Sequence, residues 1–479
     1  MLRLSLVFSF CLCACAQLVL GVDHHYRVTV DSSNQRLELT AEFNPGIFSL
    51  RARDADESGI ENIARCDGRP LSLRGNRIRS AKAIECLKYH YQIGPLTNSG
   101  RVQLPSDVFA AAPSQWLLIP KLNEGDKILI QLALPPGIGV SVPWQKTRTG
   151  FSMGASPESG TGIAFFGNLQ EQEVSLERST LRVTLIPRPM SQRRKDKLIT
   201  WLRTAAKDVE QVSGKFPIDF PQVVAIVDTK RWGEESGAVP FGHVVRDGGE
   251  SVRFYINANH SLSDFLNDWT ATHEFAHLLL PYVHFKQKWV SEGFASYYQN
   301  VLLARRGIYS EKQVWQKLRR SFSRAESIVN APSPNNAYRQ DFWDVRMLVY
   351  WSGAAMALLA DTQLRDMSGG QESLDTVLAR FQDCCIPAQE EWTAQVFFTQ
   401  LDMLTKYPVF LKLYNQIAEH RGMPDTRTVF EQLGVITSGD KVLRFSDHSE
   451  LAEVRKEIMR KRVLTPLMKI PGSHRQIIQ

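Results

Sequence analysis

The apolar positions change their spacing along the chain. Between residues 22 and about 190 they alternate in short runs. Leu37, Leu39, Ala41 and Phe43 have mostly polar neighbours, a two-residue period that turns one face of a strand inward. Trp116–Ile119, Ile128–Leu134 and Leu181–Ile186 are further strand-like runs, separated by proline and glycine. Gly154–Gly162 predicts a loop. Near residue 190 the period lengthens. Trp201, Leu202, Ala205, Val209 and Val212 keep helical spacing, and Gly214 is the expected stop. Val223–Val227 and Val252–Ile256 then predict strands. Helical spacing dominates from about 261 to about 420, and a basic amphipathic helix is expected near 448–462. The expected class is α+β: a β-rich domain at 22–190, a catalytic α+β domain at 191–400 and a helical C-terminal region at 401–479.

Composition narrows the function classes. A hydrophobic content of 43% and a charged content of 22% are ordinary for a folded globular chain of 479 residues. The formal charge of +7 is a mild excess. Its densest runs, Arg193-Arg194-Lys195 and Arg455–Arg462, fall in helix-like segments, where solvated charge is the ordinary reading. No nucleic-acid motif accompanies them, and no nucleic-acid partner is expected.

The first 21 residues predict a signal peptide. Arg3 precedes the apolar stretch Leu4–Leu20, with small residues for cleavage after Ala16 or Gly21. Leu12-Cys13-Ala14-Cys15 also resembles a lipobox, so a lipid anchor at Cys15 is an alternative to simple secretion, and a retained anchor is a third. The expected location is periplasmic or secreted. Three of the seven cysteines lie in this segment. In an oxidising compartment Cys66 and Cys86 are candidates to close a loop, whereas adjacent Cys384 and Cys385 are awkward partners for each other.

Chemistry concentrates after Ser261. Ser261 with Asp264 predicts a helix start, and Leu262, Phe265, Leu266, Trp269, His273, Ala276, His277 and Leu280 follow at helical spacing on one buried face. Pro281 is the expected end. Within this run stands His273-Glu274-Phe275-Ala276-His277. Four residues make slightly more than a turn, so both imidazoles leave one face and can share one zinc ion. Glu274 is rotated by about 100°, close enough to act on water without occupying a ligand position. Helical spacing restarts at Trp289, which puts Glu292 in the first turns of the next helix as third ligand. His284 is the rival. It falls one residue too late for the three-histidine pattern, and Leu280 stands where that pattern needs glycine. Two histidines and one glutamate leave a fourth position open, as a catalytic zinc site requires. Ser296, one turn after Glu292, is a candidate to hold a ligand in place.

These residues resemble the gluzincin peptidases. The string Trp289-Val290-Ser291-Glu292-Gly293-Phe294-Ala295-Ser296-Tyr297 is similar to the membrane alanyl-aminopeptidase and glycyl aminopeptidase families, and His25–Phe43 resembles the opening strands of the latter's β domain. Tyr350-Trp351-Ser352-Gly353-Ala354 is similar to a segment whose tyrosine stabilises the oxyanion in both families. The resemblance implies a thermolysin-like catalytic domain, a peptide or protein substrate, Glu274 as general base and Tyr350 as oxyanion donor. By position it places Gly237 and Ala238 on an edge strand that binds substrate backbone. Three departures stand out. The spacer from His277 to Glu292 is shorter than in the alanyl-type enzymes, and Ser352 replaces a lysine. Ser236–Gly242 stands where those enzymes carry the glutamate that grips a free amine. The expected function is an aminopeptidase-like zinc peptidase; an endopeptidase and an inactive peptide-binding protein are the alternatives.

Overall fold

The computed structural model describes residues 21–461 except 34, 56–58, 94–103, 124, 156–161, 188, 229–231 and 234. The expected signal segment with Cys15, and most of the Gly154–Gly162 loop, lie outside these residues. The architecture is α+β, with an N-terminal sheet domain followed by an α+β unit and a helical C-terminal part.

The N-terminal domain is built on an eight-stranded sheet. Asp23–Asp31 lies at its centre, antiparallel to Arg36–Arg51 and parallel to Lys127–Ala133. Leu37, Leu39, Ala41 and Phe43 all face inward, as their alternation predicts. Trp116–Ile119 is not a strand. Pro113–Trp116 forms a helical turn begun by Pro113, whose fixed φ suits a first helical position, and only Ile119 bridges to Arg51. Cys66 and Cys86 are disulfide-bonded.

The second sheet orders its strands Glu171–Ser175, Thr180–Ile186, Gln222–Val227, Glu250–Ile256 and Phe241–Arg246. The helix Gln192–Ser213 connects the parallel pair Thr180–Ile186 and Gln222–Val227. It ends at Gly214 in the left-handed region, with φ 80°, which glycine adopts without a Cβ clash. Two strands of this sheet thus precede residue 190. Its hydrophobic core also runs unbroken from Val174 to Ile458. Strand pairing crosses residue 190, and the apolar core continues past both 190 and 400.

The C-terminal helices close that core. Arg455 is 2% exposed and is bound by Glu311 at 2.7 Å, Asp447 at 2.8 Å and the Leu433 carbonyl at 3.0 Å. The basic helix near 448–462 is therefore tied down at Arg455 rather than wholly solvated. Cys384 and Cys385 are bonded to each other, contrary to expectation. They sit at the end of the helix Leu374–Cys385, where the backbone turns extended at Ile386 and is released from helical geometry.

Candidate metal centre

The segment after Ser261 is not one helix. Ser261 caps Leu262–Asn267 through a reciprocal capping box with Asp264. The Asp268 carboxylate then accepts the Thr270 amide at 2.8 Å, a local turn that competes with helix continuation. A new helix runs over Thr270–Ala276, and His277–Leu279 tightens into a 3-10 turn before Pro281. The break swings Trp269 out to 45% exposure, whereas helical spacing had placed it inside.

The break leaves the histidine spacing intact. The two Nε2 atoms are 3.2 Å apart, and the ring planes are perpendicular at 89°. The helix Lys288–Arg305 brings in Glu292, whose Oε2 lies 3.4 Å from His273 Nε2 and 3.5 Å from His277 Nε2. Ligand atoms about 2.0–2.1 Å from a tetrahedral zinc are about 3.3 Å from one another. The three separations match that edge length, so the donor set fits zinc in chemistry and in size. His273 Nδ1 bonds the Gln299 carbonyl oxygen at 2.7 Å, which requires the proton on Nδ1 and leaves Nε2 for a metal. Gln299 makes this contact, and Ser296 is buried one turn earlier. Glu292, Ser296 and Gln299 share one face at i, i+4 and i+7, the sequence signal that points to Gln299. His284 stays outside the cluster, accepting the Lys286 amide at 3.2 Å and pairing with Glu391 at 3.5 Å.

Burial and charge set the protonation states. Burial pushes the Glu274 carboxyl up to about 7; Glu292 adds to this, and His273 and Lys288 oppose it. Burial also works against an ionised Glu292. Its bonds to His273 and His277 and the charge of Lys288 outweigh burial and hold it well below the ordinary range. Room for Glu274 is made by Gly242 on the edge strand. A Cβ there would stand 2.7 Å from Glu274 Cγ. The preceding helix end is anchored from the same strand: Arg246 donates to the His277 and Leu280 carbonyls, both at 3.0 Å.

Tyr350 reaches the cluster from the helix Phe342–Met367, with its ring centroid 6.0 Å from that of His273. Burial raises its hydroxyl pKa, reinforced by the charges of Glu292 and Glu274. Its distance from Glu292 is set by backbone contact between two helices. A Cβ on Gly293 would lie 2.2 Å from Gly353 Cα, and one on Gly353 would lie 2.1 Å from the Trp289 carbonyl oxygen. The packed helices are also pinned by Tyr297, whose hydroxyl donates to Asp361 at 2.7 Å, while Tyr298 donates at 2.9 Å to Asp375 on the following helix, Leu374–Cys385. Arg305 pairs with the same Asp375 at 2.9 Å and donates to the Ile458 carbonyl at 3.1 Å.

Gly237 and Ala238 are not on the edge strand. That strand begins at Phe241, after Pro240, which has no N–H for pairing. Ala238 is buried, and its carbonyl accepts the Asn257 amide at 3.0 Å.

Comparison with known proteins follows the same lines. No curated protein matches the chain in sequence. The sequence model of the M61 glycyl aminopeptidase family matches residues 281–336, the segment that carries Glu292. The fold is similar to that of an aminopeptidase N family protein from Idiomarina loihiensis, at 16% identity and a TM-score of 0.59, over 86% of this chain and 78% of that one. It is also similar to an M1 zinc metallopeptidase from Deinococcus radiodurans, at 12% identity and a TM-score of 0.50, over 85% of this chain and 95% of that one. The resemblance to the gluzincin aminopeptidases therefore holds at two scales, in the architecture of most of the chain and in the family sequence around Glu292.

Proposed function

We propose that this protein is an exported, aminopeptidase-like zinc peptidase. The observation that carries the reading is the triangle of His273, His277 and Glu292 at zinc-ligand spacing, with Glu274 and Tyr350 beside it. A zinc ion held by these three residues acidifies water and withdraws charge from a carbonyl oxygen. Glu274, in the room left by Gly242, accepts the proton of the attacking water and delivers it to the departing amine. Burial raises its pKa above the ordinary carboxylate range, which strengthens it as a base. The Tyr350 hydroxyl, on a ring centred 6.0 Å from that of His273, is the donor for the developing oxyanion. Gln299 keeps His273 in the tautomer that this arrangement needs.

Export is supported by the apolar leader behind Arg3 and by the two disulfides, which suit an oxidising compartment. The substrates are peptides or proteins. A peptide-library digest read by mass spectrometry, with and without chelator, tests the function. Cleavage that requires about one bound zinc is expected. Glu274→Gln should keep the metal and lose about a thousandfold in rate or more. A variant as active as the parent rules this mechanism out.

A further inference from the structure

The helix that delivers Glu292 begins with a cation. Lys288 is its first residue, and its first turn contains no acid. A helix N-terminus carries partial positive charge, so a lysine there runs against the local field. Its ammonium turns toward the metal centre instead of away from it. Nζ lies 3.2 Å from Glu292 Oε1 and 4.7 Å from the centre of the Phe342 ring. The two oxygens of Glu292 are thus divided, Oε2 toward the histidines and Oε1 toward Lys288.

An ammonium has three donors. Glu292 engages one and the Phe342 face covers another side, yet the Lys288 side chain remains 46% exposed. Its ion pair with Glu292 keeps the ammonium beside the metal triangle. A divalent metal at the triangle neutralises much of the negative charge that Lys288 now faces. What remains is an exposed cation beside the reacting bond. Across from it, Ser236–Gly242 contains no carboxylate and Ala238 is turned into the core, with Glu235 exposed just before this stretch. That balance favours an anionic group on the substrate and disfavours a cationic one.

We propose that Lys288 is a specificity-determining residue that binds a carboxylate of the peptide. The proposal rests on the peptidase reading and names its substrate class. Nζ is ion-paired with a metal-ligand carboxylate at 3.2 Å, and an extended peptide advances about 3.3 Å per residue. The carboxylate therefore belongs to a residue next to the scissile bond or one removed from it. It is either an acidic side chain or a free C-terminus; the chemistry is shared, and the test separates the two.

The zinc-loaded full-length protein is assayed on matched peptides. One set carries Glu or Gln at each position flanking the cleaved bond. The other carries a free or an amidated C-terminus close to it. Peptide binding to the zinc-loaded Glu274→Gln variant, measured by calorimetry, gives the same comparison without turnover. The expected kcat/KM for the carboxylate member is about tenfold that of its neutral partner or more, and falls with added salt. Lys288→Met should bring the ratio near one, and Lys288→Glu should invert it, with zinc content checked in each. A ratio that collapses only in the Glu/Gln set assigns the site to an acidic side chain. One that collapses only in the acid/amide set assigns it to the C-terminus. A wild type that cleaves both members of every pair equally, or a Lys288→Met variant that keeps the preference, overturns the proposal alone. A wild type that cleaves no peptide overturns the peptidase reading, and the carboxylate site with it.

Discussion

The metal side of the cleft and the strand facing it are held by different kinds of contact. On the metal side, Glu292 and Tyr350 come from two helices whose backbones touch at Gly293 and Gly353, and Tyr297, Tyr298 and Arg305 bond to buried aspartates behind them. On the facing side, Phe241–Arg246 is paired only to Glu250–Ile256, and Phe241 is 43% exposed at its start. The metal side admits almost no adjustment. The facing side is tight only where Gly242 meets Glu274; ahead of the strand, at Gly237, an added Cβ meets nothing within 4 Å. The difference follows from what each side must do. Proton transfer and metal ligation tolerate errors of tenths of an ångström. Recognition of a substrate by charge tolerates more.

Breaking the backbone contact should have the largest effect. Gly293→Ala drives a Cβ to 2.2 Å from Gly353 Cα, and neither backbone can move aside as a side chain would. A loss of about 3 kcal/mol in stability is expected from such overpacking, read as a lower urea midpoint. An unchanged midpoint would show that the crossing can open. Next, Tyr350→Phe should lower kcat about a hundredfold while zinc content stays the same. Unaltered turnover would remove the tyrosine from the chemistry. Gln299→Leu acts further out, through the His273 tautomer. Zinc affinity should fall about tenfold in a chelator competition, and an affinity equal to the parent's would leave Gln299 without that role. Smallest is Gly237→Ala, expected to change stability by less than about 0.5 kcal/mol and kcat/KM hardly at all. A large rise in KM would return Gly237 to the substrate wall.

The same contrast explains what was legible in the sequence. His273, Glu274 and His277 could be read because four residues of helix place them without help from the rest of the fold. The alternation of Leu37, Leu39, Ala41 and Phe43 was equally local. Glu292 needed the spacing after Trp289 and the family resemblance together. The break at Asp268 was missed because periodicity averages over a turn made by one side-chain bond. Trp116–Ile119 read as a strand because a single helical turn is too short to show its own period. The edge strand was placed too early because Pro240 delays pairing to Phe241, and no periodicity reports that register. Gln299 was visible in principle, seven residues after Glu292, but a glutamine on a helix carries no chemistry of its own until an imidazole is beside it.

The bond from Arg305 to the Ile458 carbonyl has a consequence for the order of events during synthesis. Arg305 closes the helix that carries Glu292, so the far end of that helix is sealed by a residue more than a hundred positions later. While the chain is still emerging, the two histidines and the glutamate exist, but the helix that presents the glutamate lacks its last buried partner. The far end of the Glu292 helix therefore gains this bond only once Ile458 is in place.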